Sequence, residues 1–203
     1  MALLDWIASE GGLRLEREGV YLRPPRAADY VEWRDVRAES RAFLQPWEPI
    51  WPADDLTRAA FRRRLAAYAR DRDLGLAYPF FVFRASDHAL SGGITLSNVR
   101  RGVAQMGSIG YWCGRPYTRQ GQTLAAVQAV CDFAFRSLGL HRVEAACIPD
   151  NAASRRLLVK AGFEEEGYAR AYLKINGAWR DHVLFGLVSP IGGADGPDPR
   201  VSV

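Results

Sequence analysis

Cysteine is scarce in this chain, and the few that occur are badly placed for cross-linking. There are three, Cys113, Cys131 and Cys147, an odd number with long gaps and no CxxC spacing. A disulfide framework and a cysteine-based metal site are both excluded as organising features. The ordinary reading of all three is buried structural thiols in a reducing compartment, which points to the cytoplasm. Long apolar runs are missing as well: no stretch approaches the ~18 residues needed to cross a membrane. The opening MALLDWIASEGG has no basic stretch, and Asp5 and Glu10 break its apolar character, so it does not read as a secretory signal. Neither a Lys-Ser/Thr phosphate loop nor a GxGxxG dinucleotide fingerprint occurs, and there is no internal repeat or dividing linker.

What is present suits one globular domain. In 203 residues, 48% are hydrophobic and 25% charged, enough to bury a core without metals or cross-links. The net charge of +4 and pI near 9.1 are compatible with a phosphate-bearing ligand or a nucleic-acid-rich neighbour, and demand neither. The expected division is a loose N-terminus over 1–12, a folded domain over 13–188, and a Pro/Gly-rich tail over 189–203 without regular structure.

Val20-Tyr21-Leu22-Arg23 reads as a strand stopped by Pro24-Pro25. Helices are predicted over 29–38 and 57–72, the second capped by Asp55 or Thr57. Arg62-Arg63-Arg64 on that helix reads as a solvated face, with an anion site as the other reading. Strands are predicted over 80–85, 92–99 and 108–113. The period then changes. Leu124, Val127, Cys131, Ala134 and Leu138 form the stripe of an amphipathic helix, and Gly139 stops it. A strand over 143–148 precedes a short helix capped by Asp150 or Asn151 and ended by Gly162. Two strands, over 171–175 and 181–187, close the order around the Asn176-Gly177 turn. The class is α+β with a mixed sheet.

The segment Tyr111-Trp112-Cys113-Gly114-Arg115-Pro116-Tyr117-Thr118-Arg119-Gln120-Gly121-Gln122-Thr123 carries the chemistry. A strand ends, a loop follows and a helix starts near Gly121. Unpaired N–H groups and the positive dipole end at such a start suit a pyrophosphate. Gly121 allows close backbone approach, and Arg119 adds charge. A polar loop before a helix is common, so this motif alone is weak.

The segment resembles the pyrophosphate loop of the GNAT acetyltransferases, (Gln/Arg)-x-x-Gly-x-(Gly/Ala). Aligned on Gly121, the outer positions are Thr118 and Thr123, both departures, and Ala125 stands where a glutamate is common. Further matches are His141 to Ala145, Pro149-Asp150-Asn151-Ala152-Ala153-Ser154, Lys160-Ala161-Gly162-Phe163 and Glu166-Gly167-Tyr168, which are similar to the RimJ/RimL group of ribosomal-protein-alanine N-acetyltransferases. Phe43-Leu44-Gln45-Pro46-Trp47-Glu48-Pro49 and Asn176-Gly177-Ala178-Trp179-Arg180-Asp181-His182 resemble RimJ in particular. The likeness spans about 20–187.

The resemblance implies a GNAT fold whose mixed sheet splays between its fourth and fifth strands, with acetyl-coenzyme A as co-substrate in the gap and no metal. It implies cofactor contacts from Trp112, Cys113, Thr118, Arg119, Gln120, Gly121, Gln122, Thr123, Asn151 and Ser154. The amide of Trp112 or Cys113 would stabilise the oxyanion. Ser154 would protonate the leaving thiolate, or else cap its helix; Leu158 occupies the place of a tyrosine used in other branches. The base is open: Ala171 stands where related enzymes carry a carboxylate, Glu144 either faces the cleft or pairs with a basic residue such as Arg142, and Glu48 suits substrate binding. His182 is expected to anchor the last strand.

The expected activity is transfer of an acetyl group to a primary amine by direct attack in a ternary complex. The implied acceptor is the N-terminal α-amine of a protein, such as an alanine-starting ribosomal protein. A small-amine or antibiotic acetyltransferase shares the fold, because fold does not fix substrate. A non-catalytic coenzyme A-binding ribosome-assembly factor is the reading from another class. No membrane and no direct nucleic-acid contact are expected, proximity to the ribosome is compatible, and the state is monomer or homodimer.

Overall fold

The computed structural model describes residues 12–190. The end segments expected to be loose therefore lie almost wholly outside the described residues. Two short strands, β1 (Leu15–Arg17) and β2 (Val20–Arg23), lead into three helices, α1 (Tyr30–Glu39), α2 (Arg41–Leu44) and α3 (Arg58–Asp73). Three strands follow, β3 (Tyr78–Arg84), β4 (Leu90–Arg100) and β5 (Met106–Cys113). The second half is α4 (Gln122–Asp132), β6 (Arg142–Cys147), α5 (Ala152–Lys160), β7 (Glu164–Ile175) and β8 (Ala178–Val188). Thr57 is the cap of α3, its side chain accepting from Ala60 N at 3.1 Å, so Asp55 is released from that duty.

The eight strands form one sheet in the order β1-β2-β3-β4-β5-β6-β8-β7. Alternation divides its side chains between two layers. Val20, Leu22, Phe80, Val82, Ile94 and Leu96 point to α4 and the turn that follows it, where Val127, Val130 and Ala134 meet them. Tyr21, Phe81 and Phe83 point the other way, to Trp33 of α1 and Phe61 of α3. Each such buried side chain contributes about 1.5–3 kcal/mol, so both helical layers are fixed to the sheet.

All neighbouring strands run antiparallel except β5 and β6. These two share only Met106↔Arg142, Gly107↔Val143 and Ser108↔Glu144. Beyond that point β6 stays with β8 through Cys147↔Val183, while β5 stays with β4 through Gly92↔Cys113. Each strand follows its other partner, and a wedge opens between them. This is the expected splay; the addition of β1 makes it the fifth and sixth strands of the structure.

Three elements differ from the sequence reading, the first being the one-turn helix α2, which was not predicted. β1 is a three-residue edge strand, too short to show alternation. β7 begins at Glu164, seven residues before the strand predicted from Ala171. It lies at the sheet edge with Glu164-Glu165-Glu166 exposed, so no apolar period marks its first half. After α4 the chain widens into one π-helical turn over Phe133–Ser137, and the backbone turns away at Gly139.

Candidate active site

The loop after β5 is built to present backbone N–H groups. Arg119 and Gly121 both take left-handed conformations, at φ of 62° and 78°. Such alternation turns successive N–H groups to one side in an anion-binding concavity. The first bond of α4 runs from Ala125 N to Gly121 O at 3.0 Å, so the N–H groups of Gln122, Thr123 and Leu124 have no partner within the helix. A Cβ at Gly121 would meet nothing within 4 Å, leaving the backbone approachable there. Side chains hold the loop's shape. Thr118 Oγ1 donates to Arg115 O at 3.0 Å, Gln120 Nε2 to Pro116 O at 2.9 Å, and Gln122 Nε2 to Gln120 Oε1 at 3.0 Å. The Arg115 N–H donates to the buried Ser40 hydroxyl at 2.8 Å, pinning the loop to the end of α1. These features fit a pyrophosphate, and Thr118 does not obstruct it, since its hydroxyl is turned into the loop; Thr123 lies beside the Cys113 thiol.

The strand alternation distinguishes the two candidate oxyanion donors. Gly114 N–H donates to Ser91 O on the β4 side at 2.8 Å. Two residues earlier, Trp112 N–H therefore points to β4 as well, while the N–H groups of Tyr111 and Cys113 face the wedge. Cys113 is the donor available to a carbonyl placed there; the side chain of Trp112 instead faces the α1–α3 layer.

Across the wedge stands α5. The side chain of Asn151 caps it, accepting from Ser154 N at 3.0 Å. The Ser154 hydroxyl is thus free of capping and lies 2.8 Å from the Tyr111 hydroxyl. Burial pushes the Tyr111 phenol up to about 12, against the lowering effect of its bond with Ser154, so it keeps its proton at any physiological pH. Cys147, at the end of β6, lies near Ser154, and burial raises its thiol. Leu158 is 1% exposed in the core, so that position could not present a catalytic group. Tyr111 went unassigned from the sequence because only the parting of β5 and β6 brings it to α5.

On the opposite face a cleft of about 340 Å³ lies over β3, β4 and β5. Glu48 lines it, held by Arg37 through two bonds of 2.7 and 2.8 Å and by Trp51 Nε1 at 2.7 Å. Its carboxylate is occupied by three donors, so it is not a free contact for an incoming ammonium. Its carbonyl accepts from Asn176 N at 2.9 Å, and Ile50 packs against Gly177. The Pro-Trp-Glu-Pro loop and the β7–β8 hairpin are therefore joined as one wall. Trp47 is 36% exposed and outside the core. Glu144 sits at the last paired position before the wedge and bonds Arg142 at 2.9 Å, the pairing its sequence left open. Ala171 takes φ 46° at an irregularity of β7, its N–H donating to Asp181 at 2.8 Å. His182 is 3% exposed, bonds Arg180 O at 3.0 Å and packs edge-on to Tyr172. Among the described residues no group of three or more His, Cys, Asp or Glu is placed to hold a metal, and no helix is long and apolar enough to cross a membrane.

Comparison with known proteins agrees with this geometry. The acetyltransferase (GNAT) domain family matches residues 20–164. The ribosomal protein uS5-alanine N-acetyltransferase of Escherichia coli K12 is 34% identical over 178 residues, covering 88% of this chain and 92% of its own. The crystal structure of the ribosomal-protein-S5-alanine acetyltransferase from Vibrio fischeri superposes with a TM-score of 0.81 at 32% identity, over 88% of this chain and 98% of that one. RimJ from Mycobacterium smegmatis, solved in complex with CoA-disulfide, gives the same TM-score and identity over 87% of this chain and 86% of its own. The chain belongs to the GNAT acetyltransferases and is an acetyl-coenzyme A-dependent N-acetyltransferase of the RimJ/RimL type.

Proposed function

We propose that the protein acetylates the N-terminal α-amine of another protein, with an alanine-starting ribosomal protein as the acceptor class and the cytoplasm as the place of reaction. Residues 13–188 are the catalytic domain. The observation that carries this reading is the cleft over β3–β5, which ends at Tyr111 and Trp112 beside the wedge. An acceptor lying in the cleft meets a thioester lying in the wedge. The named activities of the E. coli and V. fischeri relatives support the acceptor class.

Acetyl-coenzyme A supplies the activated acetyl group. Arg119, Gln120, Gly121, Gln122 and Thr123 hold the pyrophosphate chiefly through backbone N–H groups. Cys113 N–H stabilises charge developing on the carbonyl oxygen. Ser154, with the Tyr111 phenol hydrogen-bonded to it, gives a proton to the departing thiolate. Arg37 and Glu48 hold the acceptor wall in place. Glu144, at the base of the wedge with one oxygen on Arg142, is the carboxylate assigned to take a proton from the amine through water.

The test is a panel of N-terminal peptides set against polyamines and aminoglycosides, read by mass spectrometry. Acetylation of peptide α-amines supports the proposal. Transfer to the small amines alone selects the small-molecule reading, and cofactor binding without any transfer selects the non-catalytic one.

A further inference from the structure

Glycine inside a strand weakens it, so each one in the sheet needs a reason. Among the described residues those reasons are visible, with one exception. At Gly92, Gly93, Gly107, Gly114 and Gly186 a Cβ would run into neighbouring atoms, and close packing explains the glycine. Gly167 stands at a register shift of β7. The remaining glycines, Gly110 apart, take left-handed φ values. Gly110 has none of these reasons. Its φ is not left-handed, it pairs in register with Thr95, and a Cβ there would meet nothing within 4 Å. It is exposed although β5 lies inside an eight-stranded sheet.

Its place is the border between cleft and wedge. Ile109 packs toward α4 and Trp112 against the α1–α3 layer. Alternation puts Gly110 on the same face as Trp112, and it lines the acceptor cleft. The last pair of β5 and β6 is Ser108↔Glu144. Gly110 is therefore the first cleft-facing position of β5 after β6 has parted from it. The following one, Trp112, lays its indole over Gly93 and 5.0 Å from the Arg37 guanidinium, on the side away from β6. The floor is bare at Gly110 alone of these two. Tyr111, next in sequence, carries the hydroxyl that meets Ser154, so the bare point opens onto the groups assigned to the leaving thiolate.

We infer that Gly110 is the passage by which the acceptor's amine crosses β5 from the cleft to the thioester, with the α-carbon of the acceptor's first residue lying against the Gly110 backbone. This rests on the proposed function and deepens it. The amine arrives on a substituted carbon that needs the space a side chain at 110 would fill. Gly110 is thus a positioning residue whose contribution is the absence of a Cβ, a close approach of the kind that an unstrained strand glycine marks.

The experiment uses the full chain, Gly110→Ala and Gly110→Val, each with an alanine-starting and a glycine-starting peptide. Both variants should fold with a Tm equal to the wild type's or higher, since the added carbon has room and glycine is the poorer strand former. Calorimetry should show unchanged affinity for acetyl-coenzyme A. On the alanine-starting peptide, kcat/KM should fall about tenfold in Gly110→Ala and about 10²-fold or more in Gly110→Val, the scale of a reacting group displaced by an ångström. Gly110→Ala should cost the glycine-starting peptide less, because that peptide brings no Cβ of its own. If Gly110→Val keeps the wild-type kcat/KM, or Gly110→Ala slows both peptides alike, the passage is overturned and the proposed function stands. A parallel loss of acetyl-coenzyme A affinity would also overturn it, by placing Gly110 under the cofactor. If the wild type acetylates neither peptide, both fall. Should Gly110→Val fail to fold, the two peptides compared on Gly110→Ala decide alone.

Discussion

The hydroxyls of Tyr111 on β5 and Ser154 on α5 lie 2.8 Å apart at the wedge. One comes from a strand leaving its neighbour and the other from the first turn of a helix capped by a different residue, Asn151. The pair is thus placed at the wedge, and the helix is capped independently of it. Ser154→Ala should lower kcat by roughly 10²-fold with acetyl-coenzyme A affinity nearly intact. Tyr111→Phe should give a similar loss, and the double variant should be little worse than either single one, because coupled groups are non-additive. Steady-state kinetics on the three variants checks this; a loss of stability with unchanged kcat would assign Ser154 a structural role.

Tyr111 also gives a pH signature. Burial raises its phenol from the usual 10 to about 12. The folded state thus holds this proton more tightly than the unfolded chain. Stability from this group is intact below pH 10 and declines as pH rises through about 12, by about 2 to 3 kcal/mol in all. Denaturant titrations at pH 9 and 11 should show the wild type losing more stability than Tyr111→Phe over that interval. Equal losses would mean the phenol is not desolvated.

The sequence made the fold legible wherever a residue pattern has one structural meaning. Asn176-Gly177 forms the β7–β8 turn, the stripe from Leu124 to Leu138 lies on α4 and its π turn, and Asn151 caps α5. The shape of the loop before α4 was legible because its N–H groups depend on local geometry at Arg119 and Gly121. The acceptor side was less so. Glu48 reads as a substrate carboxylate until Arg37, eleven positions earlier, is seen to occupy both its oxygens. Asp55 reads as a cap because Thr57 lies two residues on, and only the folded chain leaves one of its oxygens unpaired. Pairings across the sheet cannot be read from spacing.

Gly121 tests the proposed place of the cofactor. Its φ of 78° and the open space at its missing Cβ face the proposed phosphate position. Gly121→Glu would add backbone strain of about 1 kcal/mol and a negative charge beside the phosphates. Calorimetry should show acetyl-coenzyme A affinity falling about tenfold or more, with the variant still folded. Unchanged affinity would move the pyrophosphate elsewhere.

Glu48 holds the acceptor wall through Arg37, whose side chain is 6% exposed against 19% for Glu48. Glu48→Gln leaves that buried cation unbalanced. Stability should fall by about 2 kcal/mol, less than for a fully buried pair, and Tm by about 4–8 °C. The peptide KM should rise while acetyl-coenzyme A binding is unaltered. An unchanged Tm and peptide KM would remove Glu48 from the wall.

On the proposed function, the chain joins an acetyl group in the wedge to a peptide α-amine in the cleft. The most direct measurement is tandem mass spectrometry of an alanine-starting peptide after incubation with the protein and acetyl-coenzyme A, with a side-chain lysine included in the same peptide. One acetyl group is expected on the N-terminal α-amine, formed together with free thiol and lost in Ser154→Ala. Acetyl groups on the lysine alone, or no transfer to the peptide while a small amine is acetylated, would contradict it.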